Sequence, residues 1–273
     1  MKILITGTDG FIGSNLLKKL KNENNHILTI NENIFNNEEW QKKLISVIED
    51  YYPDVVYHVG ACSNTLEKNV QYIMTVNFEF TKILCDYCYN FKIPLIYSSS
   101  AANYGSNGKI PTNLYAWSKY VSECYVNSKN GISLRYFNVY GPGEQNKGEM
   151  ASLIYKSMIH KEKSVEIFKL FPKKPKRDFI YIDDVLDANI FAYNNFEKLK
   201  GRYYDVGYGV PETFEKILDI VKLNYLYVDE NLIPFGYQFY TCSDEKKWMP
   251  GWSPKYNLKK GIKKYIKFLK NND

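Results

Sequence analysis

Residues 2–22 read KILITGTDGFIGSNLLKKLKN. A short apolar run ends at Gly7, and apolar residues then recur at helical spacing from Phe11 to Leu20. Between the two lies a G-x-x-G-x-x-G pattern made by Gly7, Gly10 and Gly13. In a strand–turn–helix unit each of these glycines has its own duty. The first permits the tight turn, the second lets backbone approach a pyrophosphate, and the third lets helix pack on strand. The helix start then offers unpaired N–H groups and a positive dipole end to phosphate. The pattern predicts a dinucleotide site at the first strand of a parallel sheet.

Outward from this unit, HILTI (26–30) reads as a second strand. In a dinucleotide-binding unit the residue after that strand meets the adenosine ribose. Here NENIFNN begins with Asn31 and Glu32. Asn31 can hydrogen-bond a ribose hydroxyl, and Glu32, if it points inward, repels a 2′-phosphate. No Arg or Lys stands in this segment, so NAD is favoured over NADP. The plain alternative for Glu32 is a solvated loop.

The rest of the first half keeps the same rhythm. EEWQKKLISVIEDYY is an amphipathic helix, DVVYHVGA a strand, VNFEFTKILCDYCYNF a helix and PLIYSSS a strand. NLYAWSKYVSECYVNSKNG is helical, and GISLRYFNVYG is one more strand. Alternation of this kind predicts an α/β fold with a Rossmann-type doubly wound parallel sheet. After GPGEQ the rhythm breaks. A helix at MASLIYKSMIHK leads to a short strand VEIFK, a basic loop, and a strand–helix unit RDFIYIDDVLDANIFAY. YYDVGYG, another helix and a lysine-rich final helix follow. This part predicts a smaller, irregular α/β substrate-binding domain over the sheet's carboxyl edge, where open parallel sheets bind ligands. The expected division is 1–142 with 179–205 for the dinucleotide-binding domain, and 143–178 with 206–273 for the second.

At 273 residues the chain is long enough for a substantial core. Its net charge of +6 is mild. The basic cluster KLFPKKPKR (169–177) lacks interleaved base-stacking aromatics, so no nucleic-acid partner is expected. A phosphorylated small molecule suits it better. No stretch is apolar enough to span a bilayer, and MKILITG runs straight into a strand, so a cytoplasmic protein without a membrane partner is expected. Five scattered cysteines suggest no disulfide framework. Cys85 and Cys88, a lone C-x-x-C in a helical pattern, read as ordinary helix residues, and no metal is expected.

Tyr115 and Lys119, in YAWSK, stand four apart and share one helix face. Ser100 closes the preceding strand in YSSSAANYG (97–105). With the glycine loop before them and RYFNVYGP after, these residues resemble the Ser, Tyr-x-x-x-Lys constellation of the extended short-chain dehydrogenase/reductases. The resemblance implies a tyrosine that moves the hydroxyl proton of a carbinol, favoured as phenolate by a neighbouring ammonium. It implies that Lys119 also holds the nicotinamide ribose and that Ser100 bonds the reacting oxygen. Related nucleotide-sugar dehydratases carry an Asp-Glu pair next. Ala101 and Ala102 stand there in this chain, which argues against dehydration.

Within that branch, GACSNT (60–65), SAANYG, RYFNVYGP, NKGEMAS and KRDF are most similar to the ADP-glycero-manno-heptose 6-epimerase group. That similarity implies a nucleotide-sugar epimerase working through a transient keto intermediate on a heptose or related sugar. Phe11, Ile12, Gly60, Ala61 and Asn77 would join the glycines, Asn31, Glu32, Tyr115 and Lys119 around the cofactor. Ser63, Asn64 and Thr65 would lie near the sugar, Asn138 and Arg177 at the diphosphate, and Lys147 would be a second acid/base. A homo-oligomer is also expected. The sequence departs from the group at Asn31, Gly143 and Asn146, and the segment between HILTI and PDVVYHVGA is pared down. Two other readings stay open. One is a net C4 dehydrogenase or reductase using the same tyrosine, the other a non-catalytic dinucleotide sensor.

Overall fold

The computed structural model describes residues 1–21, 24–106, 108, 110–163, 167–233 and 237–271. Its main sheet is six-stranded and wholly parallel, built from β1 (Lys2–Thr6), β2 (His26–Ile30), β3 (Val55–His58), β4 (Leu95–Ser100), β5 (Ile132–Tyr136) and β9 (Arg202–Val206). The spatial order is β2-β1-β3-β4-β5-β9. This is the doubly wound order with the outermost strand of the first half absent, so β2 forms an edge. The pared segment after β2 is where that strand and its helix would have been.

Period-two alternation decides which core each strand residue enters. Ile3, Ile5, Val55 and Tyr57 face one core with Leu16 and Val185, from helices Phe11–Leu20 and Ile182–Asn194. Leu4, Val56 and Tyr97 face the other with Leu44, Leu84 and Val126, from helices Trp40–Tyr51, Phe80–Asn90 and Leu114–Ser128. Both faces are covered, which is why these strands read as nearly continuous apolar runs. Cys85 and Cys88 are two of the second core's residues, and burial pushes both thiols up, Cys85 to about 12.

Two smaller sheets complete the chain. β6 (Asn138–Tyr140), β8 (Lys176–Tyr181) and β10 (Pro211–Thr213) form one, in the order β10-β8-β6, and β7 (Ile167–Leu170) pairs in parallel with β11 (Asn224–Tyr227) in the other. GISLRYFNVYG is therefore not one strand but two. At Phe137 the backbone N–H is given to Val206 O (3.1 Å), and the chain leaves the main sheet for the second one. Val165 and Glu166 of the expected VEIFK strand lie outside the described residues. The helix expected from Val76 begins earlier, at Val70, and widens by one residue per turn over Thr75–Glu79 before continuing to Asn90.

Candidate active site

Where β1 meets the helix Phe11–Leu20, the backbone passes too close for side chains. Gly7 has φ +72°, and a Cβ there would lie 2.4 Å from Gly60 Cα. A Cβ on Gly13 would fall 2.0 Å from Gly7 O. Thr6 Oγ1 accepts from Gly60 N–H (2.9 Å) and thereby locks the two crossings together. The helix starts at Gly10 with no side-chain cap and no acid in its first turn, so its N-terminal donors face the cleft uncovered. This cradle fits a dinucleotide pyrophosphate, with Gly7, Gly10, Phe11, Ile12 and Gly13 on the cleft wall.

That wall belongs to a cleft of about 850 Å³ over the carboxyl ends of β1, β3 and β4. Gly60, Ala61, Ser63, Asn64, Thr65, Ser100, Tyr115, Lys119, Asn138 and Lys147 all line it. Residues far apart in sequence meet there, with Gln238 and Thr241 lining the same cleft as Gly7 and Gly10. Asn31 and Glu32 line it too, but their polar atoms are engaged. Asn31 Oδ1 accepts from Thr8 N–H (2.7 Å) and Thr8 Oγ1 (3.0 Å), and Asn31 Nδ2 donates to Asp9 Oδ1 (2.9 Å). Glu32 Oε1 accepts from the Tyr72 hydroxyl at 2.8 Å.

Ser100 ends β4 and accepts from Ala102 N–H (3.1 Å), which holds its hydroxyl at the mouth of the helical turn Ala101–Tyr104. Tyr115 projects from the first turn of the helix Leu114–Ser128, whose start Asn113 caps by accepting from Ala116 N–H (2.8 Å). Burial raises the Tyr115 hydroxyl, and its hydrogen bond with Ser100 pulls the other way. Lys119, one turn on, is 2 % exposed, and burial pushes its ammonium down to about 7, against the pull of Glu123. Its Nζ sits 4.2 Å from the centroid of the Tyr97 ring. The negative face of that ring is its nearest compensation.

Two of the expected site residues do not line the cleft. Asn77 is buried behind the wall. Its Oδ1 accepts from Cys62 N–H (2.7 Å), and its Nδ2 donates to Cys62 O (3.1 Å) and Ser118 Oγ (2.8 Å). It joins the Gly60–Cys62 turn to the helix carrying Tyr115. Arg177 is 7 % exposed, with its guanidinium 5.2 Å from the Tyr237 ring and 5.7 Å from that of Phe214, which lines the cleft. It therefore stands one layer back.

Lys147 lies on the turn Glu144–Met150, and its Nζ is 5.4 Å from the Phe11 ring centroid. Burial lowers its ammonium while Glu144 opposes the shift. Glu144 is fully buried and anchors the turn by accepting from Gly141 N–H (3.1 Å), Ser152 N–H (2.7 Å) and Ser152 Oγ (2.9 Å). Sequence reasoning missed Asp9, Phe35, Tyr72 and Gln238 as wall residues. Only Asp9 sat within a recognisable motif.

A glycine cradle and a Ser/Tyr/Lys group in one cleft define a dinucleotide-dependent enzyme of the short-chain dehydrogenase/reductase type. The chain belongs to the NAD dependent epimerase/dehydratase family, which matches residues 3–207. It is 33% identical over 315 residues to an ADP-L-glycero-D-manno-heptose-6-epimerase of Brachyspira hyodysenteriae, covering 99% of this chain and 98% of that one. The crystal structure of the Helicobacter pylori ADP-L-glycero-D-manno-heptose-6-epimerase superposes with a TM-score of 0.84 at 27% identity, covering 98% and 96% of the two chains. A UDP-glucuronic acid 4-epimerase from Bacillus cereus, in complex with UDP-glucuronic acid and NAD, shares the fold at TM-score 0.83 and 24% identity over the whole of both chains.

Proposed function

We propose that the protein is an NAD-dependent nucleotide-sugar epimerase acting through a transient ketone, on a nucleotide-linked heptose or a related sugar. The observation that carries this reading is the convergence of the glycine cradle, Ser100, Tyr115, Lys119 and Lys147 on one cleft. NAD, when bound, supplies the hydride acceptor and donor. The glycine loop and the helix start at Phe11 would hold its phosphates, and Lys119 its nicotinamide ribose. Tyr115 takes the hydroxyl proton from the substrate and gives it back, while Ser100 holds the reacting oxygen. Lys147 serves the other face of the ketone, and the burial that lowers its ammonium suits it to accept a proton as well as to donate one. A net dehydrogenase needs no second group, and a sensor needs neither Tyr115 nor Lys119. Asn138 would meet the diphosphate directly, and Arg177 after Tyr237 or Phe214 moves.

The division into 1–142 with 179–205 and 143–178 with 206–273 belongs to the same reading. The six-stranded sheet draws on the first set for all but Val206, and β7, β10 and β11 on the second. A cytoplasmic location and a homo-oligomer complete it. Exposed Val70, Trp117 and Tyr120 are a surface for a second copy, and sedimentation equilibrium tests that. The functional test has two arms. Mass spectrometry of heat-released ligands should find NAD, and incubation with each epimer of an ADP-heptose should give both. A protein that binds NAD but never inverts a nucleotide sugar would overturn the reading.

A further inference from the structure

Dinucleotide-binding units place an acid directly after the second strand to meet the ribose 2′-hydroxyl and to refuse a 2′-phosphate. This chain has Asn31 there. An amide could bond a ribose hydroxyl, but here it is occupied. Its oxygen receives both Thr8 donors (2.7 and 3.0 Å), and its nitrogen donates to Asp9 Oδ1 at 2.9 Å. Asn31 is a bracket between the end of β2 and the glycine loop.

The residue it holds is an acid. We propose that Asp9, oriented by Asn31, is the specificity-determining carboxylate that selects NAD over NADP. This rests on the cofactor reading above and names the residue that sets it. Asp9 and Glu32 are the two carboxylates on the cleft wall among its described residues. Glu32 already accepts from Tyr72 (2.8 Å), which ties it to the helix Val70–Met74 and shares out its charge. Asp9 also accepts one hydrogen bond, from Asn31 Nδ2, but that bond holds it beside the glycine loop instead of tying it to a separate helix. The cations on the wall are Lys119, over the Tyr97 ring, and Lys147, over the Phe11 ring, and neither forms an ion pair with Asp9 among the described residues. A 2′-phosphate brought to this end meets negative charge without a compensating cation, whereas a 2′-hydroxyl can donate to it. The acid has in effect moved from the strand end into the loop, and the hydrogen bond from Asn31 keeps it at the same place.

The test is calorimetric binding of NAD and of NADP to nucleotide-free protein, with melting curves to confirm folding. Asp9 is exposed, so Asp9→Asn should fold normally. It should lower the Kd ratio of NADP to NAD by roughly tenfold, the scale of one charge-assisted hydrogen bond. Glu32→Gln should change that ratio less. The exchange Asp9→Asn with Asn31→Asp keeps an amide–carboxylate pair and returns the charge to the strand end. It should bring the preference for NAD back to within about threefold of the parent, under half a decade in affinity. An unchanged ratio in Asp9→Asn, or a larger effect from Glu32→Gln, would overturn the assignment. If the parent protein binds neither dinucleotide, the cofactor reading itself fails, and the measurement shows that before any variant is compared.

Discussion

At Lys119 folding and chemistry make opposite demands. Burial pushes the ammonium down to about 7, while the proton transfer proposed at Tyr115 needs positive charge beside it. Because the folded-state value lies below the ordinary 10.5, folding favours the neutral amine. The cost of burying the ammonium is therefore full below pH 7 and vanishes as pH rises toward 10.5. Each pKa unit is worth about 1.4 kcal/mol, and the lost contact with Tyr97 takes back part of it. Lys119→Met should thus stabilise the protein by on the order of 2 kcal/mol at pH 6, with the gain shrinking between pH 7 and 10.5, while activity is lost. Melting temperatures across that range check it, and a uniformly destabilised variant contradicts it. Tyr115→Phe is the complementary case, with folding and NAD affinity kept and turnover reduced at least about a hundredfold. Tyr115, Lys119 and Ser100 were legible in the sequence because their spacing and strand position, with the glycine loop before them, resemble the constellation of the extended short-chain dehydrogenase/reductases. Asn31, Asn77 and Arg177 were legible as positions of interest, but their hydrogen-bond and ring partners were not. Their partners Thr8, Cys62 and Tyr237 meet them only once the chain has folded.

Between elements, the most consequential link is the buried carboxylate of Glu123. It lies one turn beyond Lys119 and accepts from Ser99 Oγ (2.6 Å), Asn103 Nδ2 (3.2 Å) and Arg135 Nε (2.8 Å). It thus joins the helix that carries Tyr115 to β4 beside Ser100, to the turn after it, and to β5. Arg135 is held in addition over the Tyr203 ring, 3.7 Å from its centroid. Glu123→Ala leaves a buried guanidinium uncompensated and should cost about 3–5 kcal/mol in a urea titration. Removing both charges, as Glu123→Leu with Arg135→Met, should recover much of that loss, since the pair's attraction mainly repays its own desolvation. A double variant as unstable as Glu123→Ala would show that the hydrogen bonds to Ser99 and Asn103 dominate. At this scale the sequence spoke clearly for β1, β3 and the start of β4, where both faces are covered and the apolar runs are nearly unbroken. It was silent on β11, whose residues Asn224–Tyr227 are all exposed and carry no alternation. The break at Phe137 was hidden as well, because strand-forming residues continue on both sides of it.

Across the whole molecule, the cleft exists because the chain after Tyr136 leaves the parallel sheet and returns over its carboxyl edge. The turn Glu144–Met150 is the first part of that return to face the glycine loop, and it brings Lys147 to the Phe11 ring. Its position depends on Glu144, whose three accepted hydrogen bonds tie the turn to Gly141 and Ser152. Inverting a carbinol through a ketone requires proton transfer on two faces, and Tyr115 is fixed on one of them by its helix. Lys147 comes from the turn that follows the chain's exit from the parallel sheet, so the two proposed acid/base groups are brought together by the fold alone. Lys147→Ala should therefore leave folding and NAD binding intact, since the side chain has no carboxylate partner in direct contact among the described residues. Epimerisation should fall by at least about a hundredfold, the scale of one positioned acid/base group, while oxidation or reduction of a single epimer survives. Each epimer is incubated separately with the variant, following NADH absorbance and product stereochemistry together. If Lys147→Ala inverts its substrate at the parent rate while Tyr115→Phe does not, Lys147 is not the second group, which must then be sought among Ser63, Asn64 and Thr65 on the cleft wall.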